Sequence, residues 1–413
     1  MNEPSPPRGL ECRGLTWAPV RLAERLGRAA IGGVAAGLVG GALGRAFGAY
    51  GMGSLASSLL FLVSVAVLVA SFIVWFWRPS LPATVTIDAQ GIDVRGVGGT
   101  RRIERAQIVS AYALTRYVRG HFVPTVEMEL AGGDLVSFDV PNDEVARAVV
   151  DDLGFGRGKK RIHIALGSPA RRLYHLLMGL VAYYLGSIAA VPLFVLSRYD
   201  GWPTALGSVV SALVMVVSYR FLRGLLSAPE VTIGDDGVLY RSGRKRRFLA
   251  GAAITAVEQP SVALPLLLRS SRETPIAIHG SALDLERRSA VARLAYERFL
   301  APVGPADQGS AQFARGGRTL AGWREHLRTR ISDVGYREAA SPTDVAAAVL
   351  LSPRATGEER VGAALMLRVA GEPTERIRVA ASAAADDHLR VALETIGEAD
   401  DDVALERALR KLT

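Results

Sequence analysis

Six histidines, one cysteine and two arginine clusters are the side chains whose chemistry has to be placed first. His121, His163, His175, His279, His326 and His388 lie far apart, and none stands in an HExxH motif or a His/Cys cluster. Cys12 is the only cysteine, so one chain can build no internal disulfide, CxxC redox pair or thiolate zinc site. No GxSxG elbow occurs, and no pair of carboxylates reads as a general acid and base. The run Gly156-Arg157-Gly158-Lys159-Lys160 resembles a phosphate-binding loop only in part. That loop needs a glycine where Leu153 stands and Ser or Thr where Lys160 stands, so the run reads as a basic connector. These residues lead to the expectation of a chain that is not an enzyme, with no catalytic residue, no metal ligand and no cofactor.

The arginine clusters suggest binding instead. Arg244-Lys245-Arg246-Arg247 is the sharpest concentration of charge, and Arg101, Arg102 and Arg105 occupy the corresponding place earlier in the chain. On a turn near an anionic leaflet, each such cation contributes roughly 1 kcal/mol, so the expected partner of these seven residues is anionic lipid. Nucleic acid is not expected, because the aromatic rings that would stack on bases are concentrated in apolar segments.

The elements that must carry these residues follow from composition. The chain has 413 residues, is 49% hydrophobic, carries a formal charge of +9 and has a mean hydropathy of +0.22. Long apolar runs inside a charged chain produce such numbers. Four runs stand out: Ala29–Gly44 (extended towards Tyr50), Ser54–Trp77, Leu173–Ser197 and Trp202–Tyr219. About 20 apolar residues cross a hydrocarbon core, so these runs lead to the expectation of four transmembrane helices in two hairpins, 29–77 and 172–222. Arginine before and after each pair, and its scarcity in the turns, places both termini in the cytoplasm of a multi-pass protein of the bacterial inner membrane. The bacterial assignment rests on the near absence of lysine beside abundant arginine and alanine, as in a GC-rich genome. Gly33, Gly37, Gly40, Gly41 and Gly44 give overlapping GxxxG spacings for close helix packing, within the chain or between copies in a homo-oligomer.

The chain also repeats itself. VTIDAQGIDVRGVGGTRRIERAQIVSA aligns without a gap to VTIGDDGVLYRSGRKRRFLAGAAITAV, with Val85 against Val231 and Gly91 against Gly237, a period of 146 residues. In the first copy, alternation and turn residues predict strands over Thr84–Asp88, Gly91–Arg95, Gln107–Leu114, Thr125–Leu130 and Leu135–Val140. A Gly132-Gly133-Asp134 turn joins the last two, and a helix capped by Asn142 follows. The second copy closes with a helix over Asp284–Leu300, although Pro260–Pro275 does not read as a clean hairpin.

The opening VTI…G…R…I and the spacings Ile103/Ile108 and Leu249/Ile254, found twice after apolar hairpins, resemble the bacterial PH-like membrane proteins. The resemblance covers roughly residues 80–155 and 228–301. It implies a bent β-barrel or sandwich capped by a helix and carries no catalytic residues. Beyond it, 302–319 is rich in Gly, Pro, Ser and Gln and reads as a linker. Residues 320–413 are almost wholly helical in pattern, and Glu358–Val369, Thr374–Ala385 and Asp387–Ile396 repeat an Arg-Val-Ala theme similar to HEAT-like hairpins, with an ordinary helical bundle as the alternative.

The expected plan is therefore an α+β membrane protein. It comprises an N-terminal segment (1–28), hairpin 1 (29–77), PH-like domain 1 (78–165), hairpin 2 (172–222), PH-like domain 2 (228–301), a linker (302–319) and an all-α domain (320–413). The expected function is a membrane-anchored binding or scaffold module with a protein partner on 320–413. The alternative is a small transporter or lipid-handling protein built on the four-helix bundle.

Overall fold

The computed structural model describes residues 8–18, 81–166, 229–301, 310–332 and 341–412, with short gaps inside these ranges, and isolated positions between 29 and 66 and between 209 and 220.

The first series of elements is Arg8–Ala18 (β1), Leu81–Asp88 (β2), Gly91–Gly96 (β3), Gly99–Glu104 (β4), Ile108–Val118 (β5), His121–Leu130 (β6), Leu135–Asp139 (β7) and the helix Asp143–Asp152 (α1). The strands form one antiparallel sheet in the order β4-β3-β2-β1-β7-β6-β5. Alternation sets the faces: Ala83, Val85 and Ile87 of β2 point into the core, while Pro82 and Thr84 stay exposed. Gly133, at φ 72°, turns the β6–β7 hairpin at the site where Gly-Gly-Asp composition predicts it. The Asn142 side chain accepts from the Val145 amide at 2.8 Å, capping α1.

The second series is Ile162–Ala165 (β8), Glu230–Ile233 (β9), Gly237–Ser242 (β10), Lys245–Ala250 (β11), Ile254–Glu258 (β12), Leu266–Ser270 (β13), Ile276–Ile278 (β14) and the helix Leu285–Ala295 (α2), which runs on as a π-helical turn over Tyr296–Leu300. It makes sheets of order β11-β10-β9-β8 and β12-β13-β14. The two series follow one plan at the period of 146. Gly91 and Gly237 occupy equivalent places, and a Cβ at either would strike the carbonyl of its neighbouring strand, at Ile103 and Leu249 respectively. That close approach is the physical reason both copies carry glycine there. The copies differ at one seam. Eleven-residue β1 pairs with both β2 and β7, whereas four-residue β8 pairs with β9, and no β8–β14 ladder forms among the described residues.

That seam is filled from the first copy. A bulge between Ile108 and Ser110 aims the Ser110 hydroxyl at β8, where it accepts from the His163 amide at 2.9 Å and donates to the His163 carbonyl at 2.8 Å. Both series then share one continuous core, in which Val85, Ile92 and Phe138 join Ile164, Val231, Leu249 and Val291. Burying one such side chain stabilises by about 1.5–3 kcal/mol.

The helical region has its own core. Leu320–Ser332 (α3), Pro342–Leu351 (α4), Gly357–Val369 (α5), Glu375–Ala383 (α6), Asp387–Glu398 (α7) and Asp402–Leu409 (α8) pack around Trp323, Val361, Leu365 and Leu393, with α5 against α3, α4 and α7, and α7 against α6 and α8. Thr356 and Glu359 form a reciprocal capping box that starts α5. Asp402 opens α8, as an acidic helix N-terminus should.

Several expectations are corrected. Among the described residues no helix is long and apolar enough to cross a membrane, so the four-span fold class, the transmembrane helices and the multi-pass inner-membrane location do not stand. The physical reason is that hydropathy measures a segment's preference for apolar surroundings. A crossing also requires about 20 residues of continuous helix. The apolar runs lie almost wholly outside the described residues, and of the packing glycines only Gly33 falls within them, leaving Gly37, Gly40, Gly41 and Gly44 outside. Residues 8–18, expected as a terminal segment, are strand β1, and residues 162–165, at the end of the expected PH-like domain 1, are strand β8. In each copy, then, a long insertion leaves one strand and returns into its antiparallel neighbour, with Leu15 opposite Leu81 and the Leu166 amide donating to the Pro229 carbonyl. Part of the expected linker is also structured: Ser310–Phe313 is a 3-10 turn whose Phe313 is buried, and its carbonyl accepts from Trp323 Nε1 at 3.1 Å.

Candidate functional site

Five of the seven basic residues singled out by sequence lie on strands, not on a turn. Arg101 and Arg102 belong to β4, and Lys245, Arg246 and Arg247 to β11, each the outer strand of its sheet. An edge strand leaves backbone donors and acceptors open, and charged side chains along it oppose unwanted strand pairing. Most of these cations already have partners. Arg102 binds Asp88 at 3.0 Å and Asp93 at 3.1 Å, Arg101 lies 3.7 Å over the Trp17 ring, and Arg247 donates to Thr274. Arg105 sits in the 3-10 turn after β4, close to Gly154. Arg244 lies outside the described residues. The described residues of the two clusters thus belong to two different sheets.

What it does gather is charge at the joints between units. The first joint links the two β series. Glu127 on β6 accepts from the buried Tyr112 hydroxyl at 2.5 Å and pairs with Arg287 of α2 at 2.8 Å. Arg287 also donates to the Ala165 carbonyl at the end of β8. Burial, reinforced by the Glu127 carboxylate, raises the Tyr112 phenol well above its ordinary 10.0. Burial works against the Arg287 charge, yet Glu127 outweighs it and holds the guanidinium above its usual value. Further along α2, Arg288 donates to the Leu264 and Ser261 carbonyls, and Arg293 to the Ala113 carbonyl of β5.

The second joint fixes the helical region to the second β series. The turn Gly234–Asp236, between β9 and β10, enters the helical region. The Asp235 amide donates to the Ala383 carbonyl at 3.0 Å, and the Asp236 carboxylate accepts from the amides of Ala385 at 2.6 Å and Asp386 at 2.8 Å. Arg360 of α5, fully buried, donates to the Asp235 carbonyl at 2.9 Å and also to the Ser352 carbonyl. From the other side Arg298 pairs with Asp235 at 3.3 Å. Burial raises the Asp236 carboxyl above its ordinary 3.8 against the pull of Arg360 and the two amides. Burial likewise lowers Arg360 against the pull of Asp236 and Asp235. Both groups have been taken out of water, and desolvation works against the charged form of each.

Gly234 is what admits the turn. Its counterpart at the period of 146 is Asp88, whose carboxylate caps its own turn by accepting from the Gln90 and Gly91 amides at 2.8 Å each. A Cβ at 234 would strike the Ala385 amide and come within 2.6 Å of the Ala383 carbonyl, both backbone atoms that cannot swing aside. Gly234→Ala is accordingly expected to loosen the helical region while leaving the β core folded. Limited proteolysis should then release a fragment beginning near 302–309, which the parent protein resists.

None of the joint residues stood out in the sequence. The available signal was in α2 and α5: arginines at 287, 288, 293, 298 and 360 fall on more than one helical face, so some had to be buried with polar partners. Among the described residues no group of three or more His, Cys, Asp or Glu is placed to hold a metal ion. His163 is spent on β8, its Nδ1 3.2 Å from the Thr232 hydroxyl. Gly156 and Lys160 of the partial phosphate-loop motif sit beside Asp151 and over Phe155, and 157–159 fall outside the described residues. No family model matches this chain, and no curated protein matches it in sequence.

Proposed function

We propose that the chain is a non-enzymatic binding protein. In this reading a body of two PH-like units holds the helical region 320–413, stacked in the manner of HEAT-like hairpins, in a fixed attitude to a protein partner. The observation that carries the reading is the second joint: buried charge on Asp235, Asp236 and Arg360 fixes the helices to the β9–β10 turn. Buried charges with this many fixed partners hold their units in one geometry, and orientation matters when one unit presents another. Val391 of α7 and Val403 of α8, 46% and 70% exposed, offer apolar contact on the helical region.

Co-purification after mild cross-linking tests this with the parent chain, a form ending at Ala301, and Val403→Glu. The expected result is a partner retained by the parent and lost from both altered forms. Equal recovery from all three forms would rule out the helical region as the recruiting surface. The transporter alternative has no supporting observation among the described residues.

A further inference from the structure

Beside the second joint, four arginines from separate parts of the chain converge on one carboxylate. Arg241 of β10 and Arg246 of β11 reach Asp387 Oδ2 at 2.7 and 2.8 Å. Arg390 of α7 and Arg161, just before β8, approach Asp387 Oδ1 at 3.2 and 3.6 Å. Arg246 also lies 4.0 Å from Asp386. These four guanidinium groups share Asp386 and Asp387, and Glu394 acts on Arg161 only from further away.

We propose that this cluster is a binding site for a small phosphate compound, seated at the seam between the β body and the helical region. Each guanidinium presents five N–H donors in a planar fork that matches two phosphate oxygens, whereas a carboxylate offers only two oxygens. Four forks around one aspartate leave most of their donors unspent. The arginine side chains remain 30–41% exposed, so unspent donors reach solvent at the seam, while Arg390 Nε is buried there without a hydrogen-bond partner. Crowding of like charge adds to the case: burial, then the neighbouring Arg390 and Arg241, lowers Arg161 from its ordinary value, a condition that an additional anion relieves. Asp387, the one carboxylate at the centre, competes with the ligand for the same donors. Bound phosphate would span Arg241 and Arg246 of the β body and Arg390 of α7, and so also strengthen the joint.

The plain alternative is a clamp between units whose spare donors are simply hydrated. Titration calorimetry of the full chain with inorganic pyrophosphate, and separately with inorganic phosphate, decides between them. The expected result is one saturable site per chain, weakened at least about tenfold in Arg241→Gln and strengthened in Asp387→Asn. Tighter binding of pyrophosphate would assign a diphosphate ligand; equal binding would assign a single phosphoryl group. Absence of saturable heat, an unchanged affinity in Arg241→Gln, or weaker binding in Asp387→Asn would overturn the proposal. If Arg241→Gln does not fold, Arg161→Gln, the arginine furthest from Asp387, gives the same comparison.

Discussion

Arg360→Met is expected to destabilise the docked helical region by about 3–5 kcal/mol, the cost of leaving a buried charge without its partner. Methionine fills similar space, so the loss is electrostatic and not a cavity effect. Asp236 would keep its two amide donors but lose the cation opposite it, and the Asp235 and Ser352 carbonyls would lose a shared donor. Urea unfolding followed by circular dichroism should show a lower midpoint for the helical transition, with the β transition little changed. A midpoint equal to the parent's would mean that Arg360 does not hold the units together.

The second large effect is expected at the joint between the β series. Arg287→Met should cost about 3–5 kcal/mol for the same reason, because Glu127 would remain buried with only the Tyr112 hydroxyl. Here the loss should spread to both β series, since they share one core across α2. Tyr112 supplies an independent readout. Its folded form holds its proton well above 10.0, so stability falls as pH rises through 10, where the unfolded chain releases that proton and the folded chain does not. Spectrophotometric titration of the parent should find one tyrosine that resists ionisation until the protein unfolds. Ionisation of every tyrosine at the ordinary value in the folded state would contradict this burial.

Much of the local structure was legible in the sequence because it depends on neighbours along the chain. Alternation over Thr84–Asp88, the Gly132-Gly133-Asp134 turn and the Asn142 cap are all short-range devices. The period of 146 was legible too, and equivalent glycines at 91 and 237 show the structural reason for part of it. What escaped notice depends on partners distant in sequence. β1 and β8 are short alternating stretches set apart by long insertions from the strands β2 and β9 that pair with them, so nothing nearby in sequence marks them as sheet. β4 and β11 were read as basic turns because Arg and Lys mark solvent, and an edge strand faces solvent along its whole length. The joints escaped for the opposite reason. An arginine such as Arg360 reads as surface by its type, and only its burial against Asp235 and Asp236 shows otherwise.

The central claim is that the helical region sits on the Gly234–Asp236 turn, and native-state hydrogen exchange at the Ala385 and Asp386 amides tests it most directly. These amides lie just ahead of α7, where only the Asp236 carboxylate accepts from them. The account predicts slow exchange in the parent chain and fast exchange in Asp236→Ala. Fast exchange in the parent would show that the turn and the helices are not joined, and would contradict the account.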